Sequence, residues 1–432
     1  MSKYRLETLA VHAGQEKPDS ATTARAVPIY RTSAYVFNSS EHAANLFCLK
    51  ELGNIYTRLT NPTTEILEHR VTALEGGAAS VALASGMSAI FYAIINLAQA
   101  GDEIVSASNL YGGTYTQFDA ILPTLGIKVK FVDQSKPENF EKAITPKTKA
   151  IYAETIGNPG LEVVDFKTIA DIAHKHGLPF IVDSTFTTPC MFKAIEHGAD
   201  IVVNSLTKWM GGQGTSVGGI ITDAGNFNWG GGKHPLLSEP DSNYHGVRWA
   251  FDVPDSLKPI AYAVRARFVP LRNLGAALSP DNAWQFLLGL ETLPLRMDRH
   301  CENNLKVAQW LSKHPKVAWV RYPGLPNDPS HELAKKYFKN GFGGTLAFGL
   351  KSGYEGAVKF IENVPLFSHV TNIGDAKSLV THPASTTHSQ LSEEQQRASG
   401  ITPDFMRLSI GIEHIDDILE ALEAGIEASR EG

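Results

Sequence analysis

From residue 80 to residue 221 the chain alternates short, β-branched apolar runs with longer windows in which apolar positions recur every three or four residues. The runs fall at 80–84, 103–106, 128–132, 150–154, 180–182, 201–204 and 219–221, and the helical windows include 89–98, 167–175 and 191–197. Strands alternating with helices in this way predict α/β winding on a mostly parallel sheet. Ahead of them, Asn61 as N-cap, Pro62 in the first turn, the apolar series Ile66, Leu67, Val71 and Leu74, and the stop Gly76-Gly77 spell a further helix. Residues up to about 59 mix Pro, Thr and Tyr with short apolar pieces and no sustained period, which predicts an extended arm lying on a partner.

After the seventh strand the rhythm breaks at a Gly-, Trp- and Pro-rich stretch, 224 to about 259, expected as an insertion or long loop beside the site. Residues 281–314 predict a long helix interrupted near Pro294 that links two domains. Beyond it, strands at 317–322 and 344–349, helices at 354–362 and 415–429 and a loop around 378–388 predict a smaller α+β domain. The expected organisation is an arm over 1–60, a cofactor-binding domain over 61–290 and a C-terminal domain over 291–432.

At 432 residues, 43% apolar and 19% charged, the chain has the composition of an ordinary globular protein. A net charge of -6 without a basic run speaks against nucleic acid and anionic membranes as partners. The opening MSKYRLETLAVHAGQEK lacks a signal-peptide core, and no run approaches the roughly 20 apolar residues of a membrane helix, so a cytoplasmic location is expected. Cys48, Cys190 and Cys301, odd in number and far apart, read as packing residues in a reducing compartment. Adjacent His300 and Cys301 cannot by themselves build a tetrahedral site; His382 and His388 in HPASTTH invite a zinc reading, but no metal is expected.

Nucleotide and hydrolase motifs fail in detail. Gly212 and Gly214 fit a dinucleotide fingerprint, but Val217 stands at its third glycine. Gly232-Lys233 is followed by His234, and Phe227 replaces the first glycine of a phosphate loop. Ser88 has Gly86 before it but Ile90 after it, which breaks a nucleophile elbow.

What remains is a set of strand-end residues suited to a pyridine aldehyde phosphate. In an open α/β sheet, ligands sit outside the carboxyl ends of the strands. Asp183 ends one apolar run; one helix and one strand later the chain reads Asn204-Ser205-Leu206-Thr207-Lys208. A carboxylate beside a pyridine nitrogen keeps it protonated, and a nearby amine can bond the aldehyde. Ser85-Gly86-Met87-Ser88 joins a strand to a helix, so its free N–H groups and the helix dipole form an anion site; Ser205 and Thr207 add hydroxyl donors. Tyr111 offers a flat ring for stacking.

The strings LASGMSAI, LYGGTY, ETIGNPG, VDSTFTTP, NSLTKWMGGQG and RLSIGIEHIDD resemble the Cys/Met-metabolism family of pyridoxal 5′-phosphate (PLP) enzymes, along nearly the whole chain. ETLAVHAGQ, ARAVPIYRTSAYVF, GNIYTRLTNPTTE, the 230–246 segment and LSPDNAWQFLLGLETLPLRMDRH resemble its O-acetylhomoserine sulfhydrylase branch. The resemblance implies the aspartate-aminotransferase-like fold, type I, with PLP bonded to Lys208, Asp183 on the pyridinium and Tyr111 on the ring. It implies Ser85, Gly86, Met87, Thr185, Ser205 and Thr207 around the cofactor. Tyr56 and Arg58 match a pair that crosses to the neighbouring subunit's phosphate, implying a catalytic dimer and a usual tetramer. Arg407 is implied for the substrate carboxylate, with Asn158, Ser378 and Tyr56 nearby. The substrates implied are O-acetylhomoserine and a sulfur donor, either sulfide, a small thiol or a sulfur-carrier protein. Ser184 and Gln213 depart from the family's common asparagine and histidine, and Gly113 stands where methionine γ-lyases tend to carry cysteine, which disfavours a degradative γ-lyase. Cystathionine γ-synthase or a γ-lyase of the same family is the nearest enzyme alternative, and a PLP-binding protein without turnover is disfavoured by Arg407.

Overall fold

A computed structural model describes residues 4–386 and 401–429. Seven strands form the larger sheet: β1 Ala79–Leu83, β2 Glu103–Ala107, β3 Lys128–Val132, β4 Thr148–Glu154, β5 Phe180–Asp183, β6 Ile201–Ser205 and β7 Gly219–Asp223. Their order is β1-β7-β6-β5-β4-β2-β3, parallel except where β7 runs against both β1 and β6. The strands between the edges are almost wholly buried, because helices cover both faces of the sheet.

Local chemistry sets the element ends. Asn61 Oδ1 accepts from the amides of Thr63 and Thr64, Pro62 fits the first turn of the helix Pro62–Glu75, and Gly76 closes it at φ 76°. The predicted long helix is two, Pro280–Glu291 and Leu293–Leu311, broken at Thr292 just before Pro294.

The second sheet has the order β10-β11-β12-β9-β8, from β8 Val317–Arg321, β9 Thr345–Leu350, β10 Ser368–His369, β11 Leu379–Thr381 and β12 Phe405–Ser409. The helices Gly353–Asn363 and Ile415–Ala428 pack on it around a separate cluster that includes Leu346, Phe348, Phe360 and Leu422.

Four expectations need correction. The window 191–197 is no continuous helix but a turn at Thr188–Met191 and a 3-10 turn at Ala194–His197. Phe192 between them is extended, because its ring packs against Phe166, His197, Tyr337 and Phe338. The expected loop at 378–388 contains strand β11, whose three residues are too few to show a period; His388 lies outside the described residues. The N-terminal 59 residues contain two helices, Leu6–His12 and Ser40–Phe47, the first burying Leu9 and Ala10.

The 224–259 stretch is not beside the carboxyl rim. Because β7 is antiparallel it ends level with Ile201 and Ala79, at the amino ends of the parallel strands. There the carbonyl of Lys149, near the start of β4, accepts from His234 Nε2 at 2.8 Å, and the Lys149 ammonium donates to the carbonyl of Lys233.

Candidate functional site

Three neighbouring parallel strands, β4, β5 and β6, deliver Glu154, Asp183 and Ser205 to one rim. Ser205 N–H donates to Thr185 Oγ1 at 2.9 Å, and Thr185 N–H donates to Asp183 Oδ1 at 2.9 Å, which ties the ends of β5 and β6 together. The other oxygen of Asp183 accepts from the Tyr152 hydroxyl at a long 3.5 Å. Burial raises the Asp183 pKa, opposed by the bonds from Thr185. Glu154 is also raised, well above the ordinary carboxylate range, by burial and then by the charge of Asp183. A buried, under-bonded carboxylate is what a pyridinium N–H satisfies.

β1 leads at the same rim into the helix Gly86–Ile95. Ser85 Oγ caps it by accepting from Ser88 N–H at 3.1 Å, leaving the amides of Gly86 and Met87 without partners in the helix. Gly86 has to be glycine: a Cβ there would lie 2.7 Å from Ser205 Cβ and 2.9 Å from its Oγ. This close approach makes a cradle of amides and a hydroxyl for a phosphate. Thr207 faces Gly218, donating to its carbonyl at 3.2 Å and accepting from its amide at 3.1 Å.

Tyr111 follows β2, with its N–H donating to Glu154 Oε1 at 2.8 Å and its ring 48% exposed over the rim. Gly113 permits that pose, since a Cβ there would lie 2.6 Å from Tyr111 Cε1 and 3.1 Å from Met87 Sδ.

Lys208 lies in the turn after β6 and donates from Nζ to Asn372 Oδ1 at 2.6 Å. Burial, and then the cation of Arg407, lower its pKa from 10.5 to about 8. Arg407, in the middle of β12, donates from Nη1 to Asn158 Oδ1 at 3.1 Å; burial lowers its pKa to about 10, opposed by Tyr111. The structure thus brings together Ser85, Gly86, Met87, Tyr111, Asn158, Asp183, Thr185, Ser205, Thr207, Lys208 and Arg407.

Three expected residues stand apart. Ser378 is fully buried, its hydroxyl donating to Glu413 Oε2 at 3.0 Å and accepting from Gly411 N–H at 2.9 Å. Tyr56 and Arg58 sit together, the guanidinium 5.0 Å from the ring centroid, and no recorded bond joins them to the lysine cluster among the described residues. Arg58 Nε is buried and unpartnered. Sequence reasoning missed Asn372 and Glu154. ETIGNPG contained the second as a buried acid one strand from Asp183; nothing local marked Asn372, which reaches Lys208 across 164 residues. Among the described residues no three His, Cys, Asp or Glu are placed to hold a metal, and no helix is long and apolar enough to cross a membrane.

This geometry is that of a PLP-dependent enzyme of fold type I, and residues 7–427 match the model of the Cys/Met metabolism PLP-dependent enzymes: the chain belongs to that family. Within it, the chain is 54% identical over 430 residues to the O-acetyl-L-homoserine sulfhydrylase of Leptospira meyeri, covering 98% of this chain and 97% of that one. It is 50% identical to O-acetyl-L-homoserine sulfhydrylase 1 of Thermus thermophilus, over 98% and 100% of the two chains. The homocysteine/cysteine synthase of Saccharomyces cerevisiae is 48% identical over 98% and 97%. A solved Campylobacter jejuni chain, assigned as an O-acetylhomoserine (thiol)-lyase and carrying a pyridoxyl phosphate group on a lysine, superposes with a TM-score of 0.93 at 41% identity, over 98% of this chain and 100% of that one.

Proposed function

We propose that the chain converts O-acetylhomoserine and sulfide to homocysteine and acetate by replacement at Cγ, in the making of methionine. The observation that carries this reading is one rim where a depressed lysine amine, a buried carboxylate, a helix-end anion cradle and a carboxylate-binding arginine meet. The sulfhydrylase relatives named above support the choice of substrate.

Lys208 would bond the cofactor's aldehyde carbon, and Asp183 would face its ring nitrogen. The amides of Gly86 and Met87 with Ser205 and Thr207 would hold its phosphate, and Tyr111 would cover its ring. When bound, PLP supplies a protonated ring that accepts the electron pair released at the substrate Cα. Arg407, steadied by Asn158, grips the substrate α-carboxylate and so fixes the direction of the Cα–H bond. The Lys208 amine, freed when the substrate amine takes its place, is neutral enough near pH 8 to take the Cα proton. Asn372 holds that amine within reach between transfers. The same amine moves protons at Cβ, acetate leaves Cγ with its bonding pair, and the sulfur lone pair of sulfide forms the new bond there.

Tyr56 and Arg58, apart from their own lysine, serve the partner subunit's phosphate in this reading, and residues 1–60 act as an arm within a catalytic dimer. The buried, unpartnered Nε of Arg58 supports it. Dimers paired into a tetramer, in the cytoplasm, complete the proposal; sulfide or a sulfur-carrier protein supplies the sulfur. Incubation with O-acetylhomoserine and either sulfide or cysteine tests it: homocysteine is the expected product, and cystathionine as the dominant product overturns it.

A further inference from the structure

The turn that carries Lys208 is held from below by a buried guanidinium. Lys208 N–H donates to Ser205 O at 3.3 Å, Gly211 N–H to Leu206 O at 2.9 Å and Gly212 N–H to Lys208 O at 2.7 Å, so residues 205–212 form one tight turn. Two carbonyls within it, those of Trp209 and Met210, receive no amide in that set. Arg296 takes them: Nη1 donates to Trp209 O at 2.7 Å, and Nη2 to Met210 O at 3.4 Å and to Gly289 O at 2.6 Å. Its Nε donates to Thr292 Oγ1 at 3.2 Å. Arg296 therefore clamps the lysine turn onto the break between the helices Pro280–Glu291 and Leu293–Leu311.

The setting is costly. Arg296 is 6% exposed, and no acidic side chain among the described residues forms an ion pair with it; burial lowers its pKa to about 10. An unneutralised buried cation is tolerated only where hydrogen bonds replace its water. The backbone has been cleared to admit it. A Cβ on Gly212 would collide with Arg296 Nη1, and one on Gly289 would lie 2.5 Å from Met210 O and collide with Gly211 O. A lysine, a point donor on a flexible stem, could not bridge carbonyls of two separate segments as a planar five-donor fork does.

We propose that Arg296 is a positioning residue for Lys208: by fixing the Trp209 and Met210 carbonyls it sets the direction in which the amine leaves the turn. It acts through geometry, since burial and Arg407 are the recorded causes of the low Lys208 pKa. The inference rests on Lys208 being the cofactor-bonding residue.

The test uses the full-length apoprotein with added pyridoxal phosphate. Nζ condenses with the aldehyde carbon, water leaves, and borohydride then supplies hydride to the C=N bond, so peptide mapping counts the adduct at each lysine. Arg296→Lys and Arg296→Gln are both expected to slow capture at Lys208 by about tenfold or more per folded molecule, with the pH midpoint of capture unchanged. Thr292→Val, which removes one of the four contacts and keeps the cation, is the milder variant, expected to slow capture by about two- to threefold. Equal capture rates in wild type and variants, with only the melting temperature lowered, overturn the positioning role and leave Lys208 as the attachment site. Arg296→Lys at the wild-type rate with Arg296→Gln slow overturns geometry in favour of charge. An adduct mapped to another lysine in the wild type overturns the underlying reading instead.

Discussion

Replacing Arg407 by glutamine separates two effects of one cation. The Lys208 amine has a pKa of about 8 in place of 10.5, a gap of 10.5 − 8 = 2.5, with burial the larger cause and Arg407 the smaller. Removing the smaller cause returns the smaller part of the gap, so Arg407→Gln should raise the pKa only part of the way back to 10.5. The sign follows: a like charge disfavours the protonated amine, and its loss moves the midpoint to higher pH. The second effect is on substrate. Truncating one side of a desolvated charge pair costs about 3 kcal/mol, or about two orders of magnitude in kcat/KM, carried mainly by KM. The assay is cofactor capture by the apoprotein against pH, read by absorbance, beside steady-state kinetics on O-acetylhomoserine. A midpoint that falls, or that returns all the way to 10.5, refutes the ordering of causes; an unchanged KM refutes Arg407 as the carboxylate anchor.

Asp183→Asn should leave the cofactor site shaped but lower kcat by about a hundredfold or more, because an amide does not hold the ring nitrogen protonated; a loss below about threefold speaks against the pairing. Lys208→Ala and Arg58→Ala, each inactive alone, should regain about a quarter of wild-type activity when unfolded and refolded together, since half of randomly formed dimers hold one intact site of two; no recovery means that Arg58 serves its own chain. Glu75, buried with Asn204 Nδ2 donating to its Oε1 at 2.8 Å, has its pKa raised from 4.5 to about 7 by burial. The folded chain therefore keeps a proton that the unfolded chain loses, and about 3 kcal/mol of stability, complete below pH 4.5, is lost as pH rises through about 7. Glu75→Gln should flatten denaturant midpoints across that window; an unaltered slope shows that Glu75 is not its source.

The winding of the large sheet was legible because each strand is short, apolar and bounded by turn residues, and Asn61, Pro62 and Gly76 marked their helix directly. Lys208, Asp183 and the Ser85–Ser88 cradle were legible because strand ends place them on one rim. Asn372 was not, since its contact depends on how the second sheet docks against the turn after β6. The side on which 224–259 emerges was misread because the direction of β7 is set by pairing with β1 and β6, not by its own residues. Phe192 was misread because an aromatic cluster overrode local preference. Ser378, placed near the substrate carboxylate by resemblance, has its hydroxyl engaged by Glu413 and Gly411.

The reversed course of β7 separates growth from chemistry. The chain after β7 emerges at the floor of the sheet, with Gly231 and Gly232 open to solvent, while the strand ends that carry Asp183 and Ser205 lie at the roof. Tyr244 in that stretch donates its hydroxyl to the Phe47 carbonyl, so a change at the floor reaches the N-terminal arm and not the lysine turn directly.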